Sequence, residues 1–199
     1  MRYRTLGRTG FKVSEIGFGT WGLGGDAYGP IDDCQARECL AAALDRGINF
    51  FDTSDLYGAG RSETLLGSAL RGARENAIIA TKAGLLPHSG FTMPQDLSPT
   101  HLRQALEASL RRLVTDHVEL YLLHSPDLSS LRANTEIFET LEELRDAGKV
   151  RALGLSARSP ADALEALALF DFDAVEVNFN LIDHRAAESD LFVETQRRD

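Results

Sequence analysis

The feature that most constrains this chain is alternation. Short apolar or β-branched runs end in small or polar residues, and each is followed by a stretch of helical periodicity. Val13–Gly19, Ile48–Asp52, Ala77–Lys82, Val118–His124, Val150–Ser156 and Asp173–Phe179 read as strands. Helices are expected from Asp32 to Arg46 with Gly47 as the stop, from Ser62, from Ser98-Pro99, from Thr135 to Ala147, from Ser159-Pro160, and from about Ala186 to Arg197. The third of these carries Leu102, Leu106, Leu110 and Leu113 on one stripe. Ahead of the first strand, Arg2-Tyr3-Arg4 and Phe11-Lys12-Val13 flank Gly7-Arg8-Thr9-Gly10 as a β-hairpin. Successive βα units require a parallel sheet with right-handed crossovers. That leaves a doubly wound open sheet or a (β/α)8 barrel. A closed barrel takes about 250 residues, and this chain has 199. Residues 1–199 are expected to form one α/β domain.

Composition narrows the function classes. With 21 Lys+Arg against 30 Asp+Glu the net charge is −9, which argues against a nucleic-acid partner. No apolar run approaches the ~18 residues of a membrane span, and the first residues lack the apolar stretch of a secretory signal. Cys34 and Cys39 stand five apart in an expected helix, where they form neither a disulfide nor a metal site on their own. Two free cysteines suit a reducing, cytoplasmic setting.

Gly17-Phe18-Gly19-Thr20-Trp21-Gly22 matches G-x-G-x-x-G, the phosphate-binding fingerprint of dinucleotide folds. That fingerprint works only if a helix opens at the third glycine, presenting its N-terminal NH groups to a pyrophosphate. Here Leu23-Gly24-Gly25-Asp26-Ala27-Tyr28-Gly29-Pro30 follows, which cannot form the first turns of a helix. The match is read as a loop at the sheet's C-terminal end.

Polar residues accumulate at the strand ends: Asp52 to Tyr57, Lys82, His124, Ser156, and Asn178 or Asn180. In a parallel sheet these ends share the face where sites form. A lysine ending a strand needs a partner, and Asp52 is the expected one. Tyr57 is a candidate general acid, with Lys82 expected to lower its pKa and His124 to donate to a carbonyl oxygen. No nucleophile or metal cluster is evident, so carbonyl reduction is the natural chemistry.

These segments strongly resemble the aldo-keto reductases. The resemblance rests on Tyr3 to Gly10, Ile16 to Trp21, Phe51-Asp52-Thr53-Ser54-Asp55-Leu56-Tyr57-Gly58 with Ser62-Glu63, Thr81-Lys82, and Leu122-Leu123-His124-Ser125-Pro126-Asp127. It implies a (β/α)8 TIM-barrel fold, incomplete here at about six βα units. It also implies an NAD(P)H-dependent reductase of aldehydes or ketones using NADPH, or NADH in its place, and a small-molecule carbonyl substrate. By the same resemblance Asp52, Tyr57, Lys82 and His124 form a catalytic tetrad with Tyr57 as proton donor. Thr20, Trp21, Asp52, Ser156 and Glu176 would then face the nicotinamide.

The chain departs from the family pattern at Ser156-Ala157, where the family has Ser-Asn, and at Glu176, where it has Gln. The last two βα units of the family pattern lie beyond Asp199. Open sheet edges are therefore expected to promote self-association. Two further functional readings stand beside reductase activity: a non-catalytic or regulatory partner on an incomplete fold, and a non-redox isomerase or lyase using the same acid–base groups. The loop from Gly84 to Leu97 is expected to cover the substrate mouth, and His88, His101, His117 and His184 to sit at the surface.

Overall fold

The computed structural model describes residues 1–26, 28–88 and 93–198. It opens with the hairpin: β1 (Tyr3–Leu6) and β2 (Phe11–Ser14) pair antiparallel, with Leu6 opposite Phe11. Gly10 closes the intervening 3-10 turn at φ 71°, a left-handed conformation that glycine adopts without penalty. Asn49 anchors the hairpin through its side chain, which accepts from Ser14 N at 2.7 Å and donates to Lys12 O at 2.7 Å.

Then come β3 (Phe18–Gly19), α1 (Asp33–Asp45), β4 (Phe50–Asp52), α2 (Arg61–Ala69), β5 (Ile78–Ala83), α3 (Pro99–Leu113) and β6 (Val118–His124). The chain continues through α4 (Leu128–Ala133), α5 (Glu136–Asp146), β7 (Val150–Ser156), α6 (Pro160–Leu169), β8 (Ala174–Glu176), α7 (Arg185–Glu188) and α8 (Leu191–Arg197). The strands β3 to β8 form one parallel sheet in sequence order, curled into a partial TIM barrel. Helix starts follow local chemistry. The side chains of Asp32, Ser98, Asp127 and Ser159 accept backbone N–H groups at the N-termini of α1, α3, α4 and α6, and Pro99 and Pro160 take the first helical positions.

The period of two along each strand separates two cores. Phe51, Ile79, Tyr121, Leu123, Leu153 and Leu155 face outward into the large cluster shared with the helices. Tyr121 also donates its hydroxyl to Leu102 O of α3 at 2.9 Å. The alternate residues face the concave side, where Ala80, Leu120, Leu122 and Ala152 form a small cluster capped by Leu6, Phe11 and Phe50. The hairpin thus plugs the N-terminal end of the barrel, and the concave residues at the other end are free to be polar.

Several boundaries differ from the sequence expectation. The expected first strand, 13–19, keeps only Phe18 and Gly19 in the sheet, because Val13 and Ser14 are committed to the hairpin. The sixth strand pairs only over Ala174–Glu176, as an edge with β7 on one side. Ser189 adopts an extended conformation at the end of α7, so the expected helix from Ala186 to Arg197 is split in two. The six-residue α4 is too short for helical periodicity to mark it in the sequence. No helix among the described residues is long and apolar enough to cross a membrane.

Candidate active site

The site is built where the concave face meets the C-terminal strand ends. Asp52 ends β4, Lys82 lies in β5, His124 ends β6, Ser156 ends β7 and Glu176 ends β8. All fall on the concave phase of the alternation, two or four residues from Phe50, Ala80, Leu120, Ala152 and Ala174.

Lys82 is fully buried. Its ammonium donates to Asp52 Oδ1, to Thr53 O at 3.1 Å and to the Tyr57 hydroxyl oxygen at 3.2 Å. Glu176 Oε2 lies 3.6 Å away on the other side. Burial alone would lower the lysine pKa, but Asp52 and Glu176 outweigh it and the net shift is upward, so Lys82 stays charged. One cation then faces two carboxylates. Burial pushes both Asp52 and Glu176 above their ordinary values against the pull of Lys82, and Asp52 adds to the rise at Glu176.

Tyr57 departs from the expectation. Burial raises its pKa, Lys82 opposes that rise, and the negative charges of Asp52 and Glu176 restore it. The cation acts in the expected direction but does not win, because burial is the larger effect and the charges of Asp52 and then Glu176 add to it. The phenol therefore holds its proton. Replacing Glu176 with Gln removes one of the charges holding that value up. The Tyr57 titration, followed by phenolate absorbance as the difference from a Tyr57→Phe chain, is expected to move to lower pH; an unmoved titration would show that Glu176 does not act on Tyr57.

His124 meets Tyr57 edge to face, with ring centroids 5.9 Å apart. Burial and then the Lys82 charge lower its pKa to about 3, so the imidazole is neutral. Together with Trp21, Leu85, His88 and Met93, these two rings line a cleft of about 530 Å³. Trp21, half exposed, stands 6.3 Å from the Tyr57 ring. Thr20 is also adjacent, but its side chain is buried beneath the loop and its hydroxyl has no partner among the described residues. A second, interior cavity of about 490 Å³ reaches Gly19, Asp52 and Glu176. Lys82 bridges the two, touching Tyr57 on one side and Asp52 on the other.

The glycine match forms a 3-10 turn over Trp21–Gly24 rather than a helix N-terminus. Gly58 explains its close seating: a Cβ there would lie 2.4 Å from Gly24 O, and its φ is +59°. The loop after β5 reaches the cleft through Leu85, Pro87, His88 and Met93; its residues 89–92 lie outside the described residues. His88, expected at the surface, is exposed but at the cleft rim.

Four residues of the surround had no site role assigned from the sequence, although Ser54 and Glu63 lie within the segments that carry the resemblance. Gln95 straps the loop to the end of β6, donating to Ser125 O at 2.6 Å and accepting from Asp127 N at 2.8 Å. Glu63, fully buried, accepts from Thr81 Oγ1 at 2.5 Å and from Arg112 Nε at 2.7 Å, tying α2 to β5 and α3. Ser54 meets His124, and Arg112 completes the Glu63 pair. Their partners lie 18 to 70 residues away in sequence, beyond any local pattern.

Comparison with known proteins gives a consistent result. The family model described as the aldo/keto reductase family matches residues 15–196. The chain is 36% identical over 193 residues to the aldo-keto reductase YhdN of Bacillus subtilis, covering 96% of this chain and 57% of that protein. It is 34% identical over 210 residues to an NADH-specific methylglyoxal reductase of Escherichia coli, covering 96% of this chain and 62% of that protein. Among solved structures, the holo form of aldo-keto reductase AKR11C1 from Bacillus halodurans superposes with a TM-score of 0.87 at 34% identity, covering 100% of this chain and 63% of that one. The chain thus spans less than two thirds of the length of these relatives.

Proposed function

This chain belongs to the aldo/keto reductase family, and from that premise we propose that it serves NAD(P)H-dependent reduction of an aldehyde or ketone, with Tyr57 as the proton donor. The observation that carries this is the hydrogen-bond direction at Lys82. Its three N–H groups go to Asp52, Thr53 O and Tyr57, so the phenol accepts from the ammonium and keeps its own proton for the cleft. That suits a donor to an alkoxide forming within reach of Tyr57 and His124. A reduced nicotinamide would supply the hydride.

The residues at the strand ends fit the carboxamide end of such a cofactor. Ser156 offers a hydroxyl that both donates and accepts, and Glu176 offers a carboxyl that accepts from an amide NH₂. Ala157 offers no side-chain partner. Trp21 lines the neighbouring cleft beside Tyr57 with its indole half exposed, and Thr20 precedes it, buried. Relatives named for methylglyoxal and 6-dehydroglucose reduction support a small carbonyl metabolite or sugar as substrate. Residues 1–199 are read as one unit, and the two free, exposed cysteines suit a cytoplasmic setting.

Trp21 is the only tryptophan, so its fluorescence reports on the site directly. Titration with NADPH and with NADH is expected to quench it saturably and to rank the two cofactors. A folded sample that shows no saturable quenching with either would overturn cofactor use by this chain. A relative named as a probable voltage-gated potassium channel subunit beta, 31% identical, supports a second reading as a non-catalytic or regulatory partner. Saturable quenching with no carbonyl consumed would favour it.

The edges carry a further expectation. Strands β3 and β8 are each paired on one side only among the described residues, and Leu181 and Ile182 are 95% and 96% exposed. Unpaired edges beside exposed apolar side chains favour association. Sedimentation velocity of these 199 residues is expected to show species larger than a monomer; a monodisperse monomer would contradict this.

A further inference from the structure

Ser54 follows Thr53 at the end of β4 and is fully buried. Its hydroxyl oxygen accepts from Leu56 N at 3.1 Å. It also lies 3.1 Å from Asp55 Oδ1, 3.1 Å from His124 Nδ1 and 3.4 Å from Lys82 O. A serine hydroxyl has one proton to give, so these neighbours compete for it. An ionised carboxylate is the strongest acceptor of the three.

The outcome dictates which nitrogen of His124 carries its proton. The imidazole is neutral, so one nitrogen is N–H and the other is bare. If Ser54 donates to Asp55, the Ser54–His124 contact requires Nδ1–H as donor, and Nε2 is left bare. If Ser54 donates to Nδ1, the proton sits on Nε2, which has no protein partner among the described residues while the ring lines the cleft. Only the second arrangement makes His124 itself a hydrogen-bond donor to a carbonyl oxygen in the cleft.

We propose that Ser54 selects the tautomer of His124 and that Asp55, by competing for the same proton, switches the cleft-facing nitrogen between donor and acceptor. Protonated Asp55 releases the Ser54 hydroxyl to His124. Ionised Asp55 captures it. The proton balance is one: Asp55 takes a proton from solvent, the Ser54 hydroxyl rotates, and His124 moves its single proton from Nδ1 to Nε2 by exchange.

Asp55 is placed to titrate in a useful range. Burial and then the charge of Glu63 on α2 raise it to about 6, against Ser54, Arg112 on α3 and the Leu56 amide. Tyr121 on β6 also feels its charge. His124 is faced by Lys82 on β5 and His88 on the loop, both of which disfavour its cationic form. Ser54 and Asp55 are positioning residues. Their catalytic consequence rests on the proposed contact between His124 and the carbonyl, whereas the tautomer switch itself does not.

Long-range proton–nitrogen correlation spectra of the ¹⁵N-histidine-labelled chain read the tautomer without cofactor or substrate. The His124 signals are assigned by their loss in His124→Gln. The parent chain is expected to show Nε2–H at pH 5 and to convert toward Nδ1–H as pH rises through about 6. Asp55→Ala should hold Nε2–H from pH 5 to 8, and Asp55→Asn, which cannot ionise, should also lose the step if the alanine variant does not fold. Ser54→Ala should abolish the step by removing the relay. A single tautomer across pH 5 to 8 in the parent, or an unchanged step in both Asp55 variants, would overturn the proposal. If the step is present but His124→Gln still reduces carbonyls at the parent rate, the switch stands and the assigned role of His124 fails.

Discussion

Replacing Tyr57 with Phe is expected to lower carbonyl reduction by roughly 10²- to 10⁴-fold, the usual contribution of a positioned general acid, with nicotinamide binding retained. The substitution removes one oxygen from a cleft wall and leaves the aromatic contacts to Trp21 and His124 in place. Lys82 loses one of three acceptors but keeps Asp52 and Thr53 O. The loss should therefore fall on turnover rather than on folding or cofactor affinity. The pH profile follows from the shifts at the site. Burial holds Tyr57 above the ordinary phenol value of ~10, so the proposed donor remains protonated and the alkaline limb of reduction is expected above about pH 10. A limb near pH 8, or a Tyr57→Phe chain with full turnover, would assign proton donation to another group.

Replacing Lys82 with Met is expected to cost both activity and stability. A methionine follows much of the buried lysine's path, but Asp52 and Glu176 then face each other without their cation. Breaking a buried pair from one side costs about 3–5 kcal/mol. Asp52 and Glu176 side chains are 26% and 46% exposed and keep part of their hydration, so the low end, about 3 kcal/mol, is expected. At roughly 2–4 °C per kcal/mol for a chain of this size, the melting temperature should fall by about 6–12 °C.

The pH dependence has a definite sign. In the parent, the Lys82 value is raised, so its contribution is complete below the ordinary lysine value and is lost only as pH climbs through the raised one. Asp52 and Glu176 are raised as well, so the fold binds their protons more tightly than the unfolded chain does. Stability consequently falls as pH rises from the ordinary carboxylate range through the raised values. Without Lys82 nothing opposes that rise, and the fall between pH 5 and 8 should steepen. Thermal melts of both chains across that interval measure the difference. Parallel curves would mean that Lys82 does not hold the carboxylates ionised.

Local sequence carried the parts of this molecule that depend on neighbours in the chain. The period of two through Phe50–Asp52, Ile78–Ala83, Val118–His124 and Val150–Ser156 already separates the helix-facing residues from the concave ones. It thereby places Asp52, Lys82, His124 and Ser156 on one face. Ser98-Pro99 and Ser159-Pro160 specify helix starts because capping is a contact between residues two or three apart. Boundaries failed where a segment had two possible partners, as at Val13-Ser14, which suits a sheet strand but is taken by the hairpin.

What tertiary structure alone decided was the balance of forces at each site residue. That Tyr57 titrates above its ordinary value is a sum of burial, one cation and two carboxylates, and one of those carboxylates comes from β8, more than a hundred residues away. That Ser54 lies between Asp55 and His124, 70 residues on, needs β4 and β6 each to be paired in register with β5 between them. The pattern of residues sets which groups share a face. Desolvation and Coulomb interaction depend on distance and surrounding dielectric, and those exist only once the sheet has curled.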